Sequence, residues 1–192
     1  MAFAWRALAL SEAVSRLAIR VGGGLIILIS LLITVEIVLR KAMNLSTGGT
    51  DELSGYAMAI GFTWALSHTL HQRAHVRIDV LYTRVGPALR AWLDCLGMVC
   101  LAIFSVTLTY FCWRVVQDSV QLGGVSNTTL AIPLWIPQGL WLLGMLLFSF
   151  ASLLLSVLSL HALMIGDRAR VFAMAGSRTT DDELSLLRAK ND

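Results

Sequence analysis

Four apolar runs, each long enough to cross a bilayer and each stopped by charge, constrain this chain more than any other feature. They cover residues 21–39, 53–72, 91–113 and 134–165. The first ends at Arg40–Lys41, and the second lies between Asp51–Glu52 and Arg73. The third lies between Arg90 and Arg114, and the fourth stops before Asp167–Arg168. A helix needs about twenty apolar residues to cover a hydrocarbon core of about 30 Å. Inside lipid, every backbone polar group must be satisfied within the protein, which leaves helices or closed barrels. None of the four runs alternates as a barrel strand would. The expected fold is therefore an all-α integral membrane protein with four transmembrane helices. Composition agrees, since 57% of residues are hydrophobic and only 14% are charged, against about 25% charged in soluble domains. Most soluble enzymes, disordered chains and disulfide-stapled scaffolds are excluded at this point.

The basic residues set the expected orientation. Twelve of the fifteen fall on one side. They are Arg6, Arg16 and Arg20, then Arg73, Arg77, Arg84 and Arg90, then Arg168, Arg170, Arg178, Arg188 and Lys190. Only Arg40, Lys41 and Arg114 fall on the other. The positive-inside rule puts both termini in the cytoplasm. The chain then divides into a cytoplasmic or interfacial N-terminal segment (1–20), a four-helix membrane domain (21–166) and a cytoplasmic tail (167–192). The first twenty residues do not read as a secretory signal, because three arginines precede the apolar run and no small-residue cleavage site follows it. They either lie along the inner headgroups or extend the first span. Thr50 or Asp51 can cap the second helix, and Asp51 and Glu52 suit its positive dipole end. Pro137 fits the first turn of the fourth. In the tail, Thr180-Asp181-Asp182-Glu183 has the pattern of a capping box.

Several function classes fall away on chemistry. A net charge of +3 is too mild for a nucleic-acid binder. Cys95, Cys100 and Cys112 share one apolar run without a CxxC, which argues against a zinc site or a dithiol centre. Both outer loops lack cysteine, as a four-helix thiol oxidase could not. No cofactor is expected. His68 and His161 sit near the inner ends of two different spans and could in principle ligate a haem iron. A haem- or quinone-binding membrane anchor of a respiratory enzyme is thus the competing reading, although histidines satisfied by hydrogen bonds near the headgroups are commoner. A solitary channel lacks the polar stripe at mid-depth that it would need.

Ionisable groups at membrane depth are functional suspects. Glu36 is one turn from Arg40, so a same-face ion pair in the outer leaflet is expected, with contact to another subunit as the sharper alternative. Asp94 stands one turn from Arg90 and can pair likewise. The inner loop His71-Gln72-Arg73-Ala74-His75-Val76-Arg77-Ile78-Asp79-Val80-Leu81 is a basic turn at headgroup level. In it apolar Val76, Ile78 and Val80 alternate with His75, Arg77 and Asp79. Arg77 can reach lipid phosphate, and Asp79 can accept from nearby arginines or backbone N–H groups.

These segments together resemble a known family. Arg40 is followed by Asp51-Glu52-Leu53-Ser54 opening the second helix, by the His75-Val76-Arg77-Ile78-Asp79 loop, and by Ile132-Pro133-Leu134-Trp135 opening the fourth. The combination resembles the small membrane subunit (DctQ type) of tripartite ATP-independent periplasmic (TRAP) transporters, over about residues 20–165. The resemblance implies a small permease in the bacterial inner membrane and not an enzyme. It implies a large polytopic subunit that carries a carboxylate or sulfonate with sodium ions, and a periplasmic protein that delivers the solute. The small subunit would brace the large one and help to dock the binding protein. Glu36, Arg40, Glu52, His75, Arg77 and Asp79 are the candidate structural, interface or lipid-headgroup residues.

Overall fold

The computed structural model describes residues 2–43, 48–73 and 86–176. Among them the architecture is all-helical, apart from a single isolated β-bridge between Val125 and Pro133. Helix α1 covers Ala2–Met43, α2 Thr50–His71, α3 Pro87–Gln121, α4 Trp135–Met164 and α5 Arg168–Ala175.

Two antiparallel pairs make the bundle. Ser15 Oγ lies 2.6 Å from Ser67 Oγ, and Ser11 Oγ 3.0 Å from His71 Nε2, so the start of α1 lies beside the end of α2. Ser105 Oγ lies 2.6 Å from Ser152 Oγ, and Thr109 Oγ1 donates to the Met145 carbonyl at 3.2 Å, which runs α3 against α4. Helices α2 and α4 pack side by side and join the pairs. The Trp64 indole N–H donates to the Leu140 carbonyl at 2.8 Å across that seam. The connections between α1 and α2 and between α3 and α4 share one end, here called upper. The start of α1, His71, Pro87 and α5 share the lower end.

The helices follow from the apolar runs, because in lipid only the helix satisfies its own backbone. What brings them close is the small side chain. A Cβ on Gly22 would stand 3.2 Å from the Gly61 Cα, and one on Gly144 would meet Trp64 at 2.5 Å and the Thr63 backbone at 2.9 Å. Backbones approach there because those positions carry no side chain. The buried serines and threonines hydrogen-bond across the same seams, each contributing roughly 0.6 kcal/mol in such settings. Helix α4 is the hub. Of its most apolar stretch 61% is buried, against 33% for α3 and 11% for α1. Met145, Phe148, Ala151 and Leu155 of α4 form the core with Met98, Cys112 and Leu70.

The structure corrects two expectations and decides between two alternatives for the N-terminal segment. Among the described residues three helices, not four, are long and apolar enough to cross a membrane: Arg6–Met43, Pro87–Gln121 and Trp135–Met164. The second run falls short because Ser54, Tyr56, Thr63, Ser67, His68 and Thr69 interrupt it. Thr63 and Ser67 are buried in a helix packed between α1 and α4, so protein and not lipid is their solvent. The cap of α2 is neither Thr50 nor Asp51. The helix already includes both, and the cap position falls on Gly49, which has no side chain to offer. Finally, residues 2–20 are continuous with the first span in one 42-residue helix, about 63 Å long at 1.5 Å per residue.

The tail begins with α5, a helix absent from the sequence reading. The Asp167 carboxylate accepts from the Arg170 backbone N–H at 3.1 Å and caps it. Val171 is fully buried against Ala91, Cys95 and Ala162, which anchors α5 under α3 and α4. Pro137 is the third residue of α4, in its first turn. The capping-box pattern at 180–183 lies outside the described residues.

Candidate functional site: the clasped upper loops

At the upper end the two connections lock together around Glu52. This residue is in the first turn of α2, where a carboxylate faces the positive end of the helix dipole. Its side chain does more than complement the dipole. Ser126 Oγ donates to Glu52 Oε2 at 2.7 Å, Thr128 Oγ1 donates to the same oxygen, and the Tyr56 hydroxyl donates to Oε1. Three hydroxyl donors favour the ionised form. Thr128, and after it Tyr56, hold the Glu52 carboxyl below its ordinary range.

The loop that Glu52 grips is itself built for this. Ser126 N–H donates to the Ile132 carbonyl at 2.9 Å and Leu134 N–H to the Gly124 carbonyl at 3.0 Å, closing a small β-like loop across Val125 and Pro133. The Thr128 and Leu130 backbone N–H groups donate to Ser126 Oγ and Thr128 Oγ1, each at 3.3 Å, and hold the two hydroxyls in place. The tip then folds over the other connection. A Cβ on Gly49 would stand 2.3 Å from Leu130 Cδ1, so only glycine lets Leu130 seat there. Beside it is a cleft of about 210 Å³ lined by Leu32, Glu36, Leu39, Thr50 and Leu130.

Glu36 is 5% exposed at the edge of this cleft, and Arg40 Nη2 lies 2.8 Å from Glu36 Oε1. The arginine is half exposed, so the pair runs from protein interior to surface. The structure thus brings Glu36, Arg40 and Glu52 to the upper end, the first two beside the cleft and the third on the clasp. His75, Arg77 and Asp79 lie outside the described residues. Asp94 is buried on α3, one turn beyond Arg90, and both residues have interaction partners.

His68 and His161 are half-buried on α2 and α4. Each is in the last turn of its helix, and no hydrogen-bond partner meets His68 Nδ1 among the described residues. His71 makes a tertiary hydrogen bond, to Ser11. Among the described residues no group of three or more His, Cys, Asp or Glu side chains is placed to hold a metal ion. Sequence reasoning missed Ser126, Thr128 and Leu130. The only signal was a cluster of hydroxyls beside a Gly pair, which reads as an ordinary polar loop.

The family model for tripartite ATP-independent periplasmic transporters, DctQ component, matches residues 29–162. The chain belongs to the DctQ family. That match covers the upper part of α1, all of α2, α3 and the upper loops, and nearly all of α4. No curated protein and no solved structure matches the chain. A DctQ chain is a transporter component and not an enzyme. Together with the three apolar helices, the family makes this a multi-pass membrane protein. The family description makes DctQ one component of a tripartite transporter.

Proposed function

We propose that this chain is the small permease subunit of a sodium-coupled TRAP transporter in the bacterial inner membrane. It braces the large subunit and helps to dock the periplasmic binding protein for uptake of an organic carboxylate or sulfonate. In this reading α2 spans the membrane as a fourth helix, shielded by α1 and α4, and both termini are cytoplasmic. The 22 residues of α2 are about 33 Å long, enough for a hydrocarbon core of about 30 Å. The domain division into 1–20, 21–166 and 167–192 follows the same orientation, and where α2 spans, residues 11–20 of the first segment run beside its lower half in the inner leaflet.

One observation supports a scaffold over a conduit. The buried carboxylate or basic side chains among the described residues are Glu36 and Asp94. Each is within one turn of an arginine near a helix end, Arg40 for Glu36 and Arg90 for Asp94. The middle of the bundle is bridged by serine, threonine and tryptophan contacts that consume their own donors. A protein that carried an anion and sodium itself would need polar groups at mid-depth. The large exposed apolar face of α1, including Leu28, Leu31, Val35 and Val38, suits a partner or lipid.

The clasped upper loops serve, in this proposal, as the periplasmic platform, with Glu52 holding their shape and Glu36–Arg40 at the rim. His75, Arg77 and Asp79 serve at the cytoplasmic headgroups, where Asp79 offsets the surrounding cations. The reading is tested by reconstitution in liposomes. The chain, the large subunit and the binding protein together should support sodium-dependent uptake, and omission of this chain should abolish it. Full uptake without this chain, or flux through this chain alone, would overturn the proposal.

A further inference from the structure

The bundle is open on one side. Helix α1 packs on α2 along its length but touches α4 only sparsely. Between α1 and α4 runs an apolar groove of about 590 Å³. Val14, Leu17 and Val21 form one wall, Leu143 and Leu147 the other, and Trp64 of α2 the floor. A second recess of about 500 Å³ shares Val14 and Leu147 and continues toward the lower end, past Leu10 and Phe150, to Arg6. The two form one channel with a single cation at its mouth. Among the described residues Arg6 makes no ion pair.

Two features fix what this groove can hold. It has a defined upper end, where Gly22 seats on Gly61 and Trp64, bonded to the Leu140 carbonyl, lies against Gly144 and bridges α2 and α4. From Arg6 to Val21 is about 22 Å at 1.5 Å per residue. One leaflet with its headgroups is about half of 40–45 Å. A partner's transmembrane helix would need a seam through the whole hydrocarbon core, and this groove stops halfway. A length of one leaflet, apolar walls and an uncompensated arginine at the headgroup end match a single lipid.

We infer that the α1–α4 groove binds an acyl chain of an anionic phospholipid, with Arg6 holding the phosphate. The lipid fills the gap that α1 leaves and ties the lower half of α1 to α4. The inference needs only that the chain resides in a bilayer, so it stands or falls separately from the scaffold role.

The test uses the full chain, purified with whatever subunits accompany it. The sample is equilibrated with vesicles of equal phosphatidylglycerol and phosphatidylethanolamine, and retained lipid is read by native mass spectrometry. The wild type should retain one phosphatidylglycerol per chain. Arg6→Gln, which alters an exposed side chain, should cut the preference for phosphatidylglycerol about fivefold, as expected for one cation at an anionic surface. Ala18→Phe, which fills the groove, should abolish retention. Equal retention of the two lipids by wild type and Arg6→Gln, or undiminished retention in Ala18→Phe, would overturn the inference. So would a photo-crosslinker at Leu17 that captures a polypeptide in place of lipid.

Discussion

Ser126 Oγ donates to Glu52 Oε2 at 2.7 Å across 74 residues of sequence, and this bond ties the α3–α4 loop to the start of α2. Thr128 reinforces it on the same oxygen. Glu52→Ala should therefore release the loop without unfolding the bundle. Amide exchange at Ser126 and Leu134, whose N–H groups close the loop, should quicken severalfold, while the core of α4 stays protected. Unchanged exchange at both amides would show that Gly49–Leu130 packing alone holds the loop.

The same clasp carries a pH dependence whose sign is fixed. The folded Glu52 carboxyl titrates below its ordinary value of 4.5, chiefly through Thr128 and then Tyr56. Its contribution is fully present above that ordinary value and is lost as pH falls through the lower folded value. Protease sensitivity of the loop should be flat from pH 7 to 5 and rise only once the pH has fallen below the ordinary carboxylate value, as Glu52 protonates. In Glu52→Gln that rise should disappear.

Close helix contact at Gly144 gives a stability prediction. Gly144→Val places a side chain against the Thr63 backbone and the Trp64 ring. Overpacking of this kind costs about 1–3 kcal/mol. The thermal midpoint of the detergent-solubilised protein should fall by several degrees. Gly23→Ala, where an added Cβ meets open space, should not lower it, since alanine is the better helix former, and serves as the control.

Glu36 separates a structural from a coupling role. If sodium is handled by the large subunit, Glu36→Gln loses its ion pair with a half-exposed Arg40 and costs about 1 kcal/mol or less. Uptake measured against sodium concentration should keep its half-saturation point. A shifted sodium dependence would place Glu36 in the coupling machinery.

The helices were legible because lipid leaves the backbone few choices, so runs of hydrophobic residues translate directly into spans. The exceptions follow from who solvates each residue. Helix α2 carries Thr63 and Ser67 because other helices cover them, and hydropathy cannot distinguish a residue buried in protein from one turned to water. The lower half of α1 was ambiguous because Arg6, Arg16 and Arg20 allow either a headgroup-level helix or a long extension. Its contacts through Ser11 and Ser15 to α2 fix the helix as an extension. The Glu36–Arg40 pair could be read from spacing alone, since residues four apart share a helix face. The clasp could not, because Glu52 and Ser126 meet only after three helices are in place. Helix α5 left a local trace in Asp167, three residues before Arg170, but its anchor is the contact of Val171 with Ala91 and Cys95.

The central claim is that this chain works as part of a larger membrane complex. It is tested most directly by tagging the chain in cells that carry its neighbouring genes and purifying it in a mild detergent. A much larger polytopic membrane protein should co-elute in a fixed ratio, and Asp79→Ala should lower its yield. A clean, folded monomer without such a companion would show that the chain works alone.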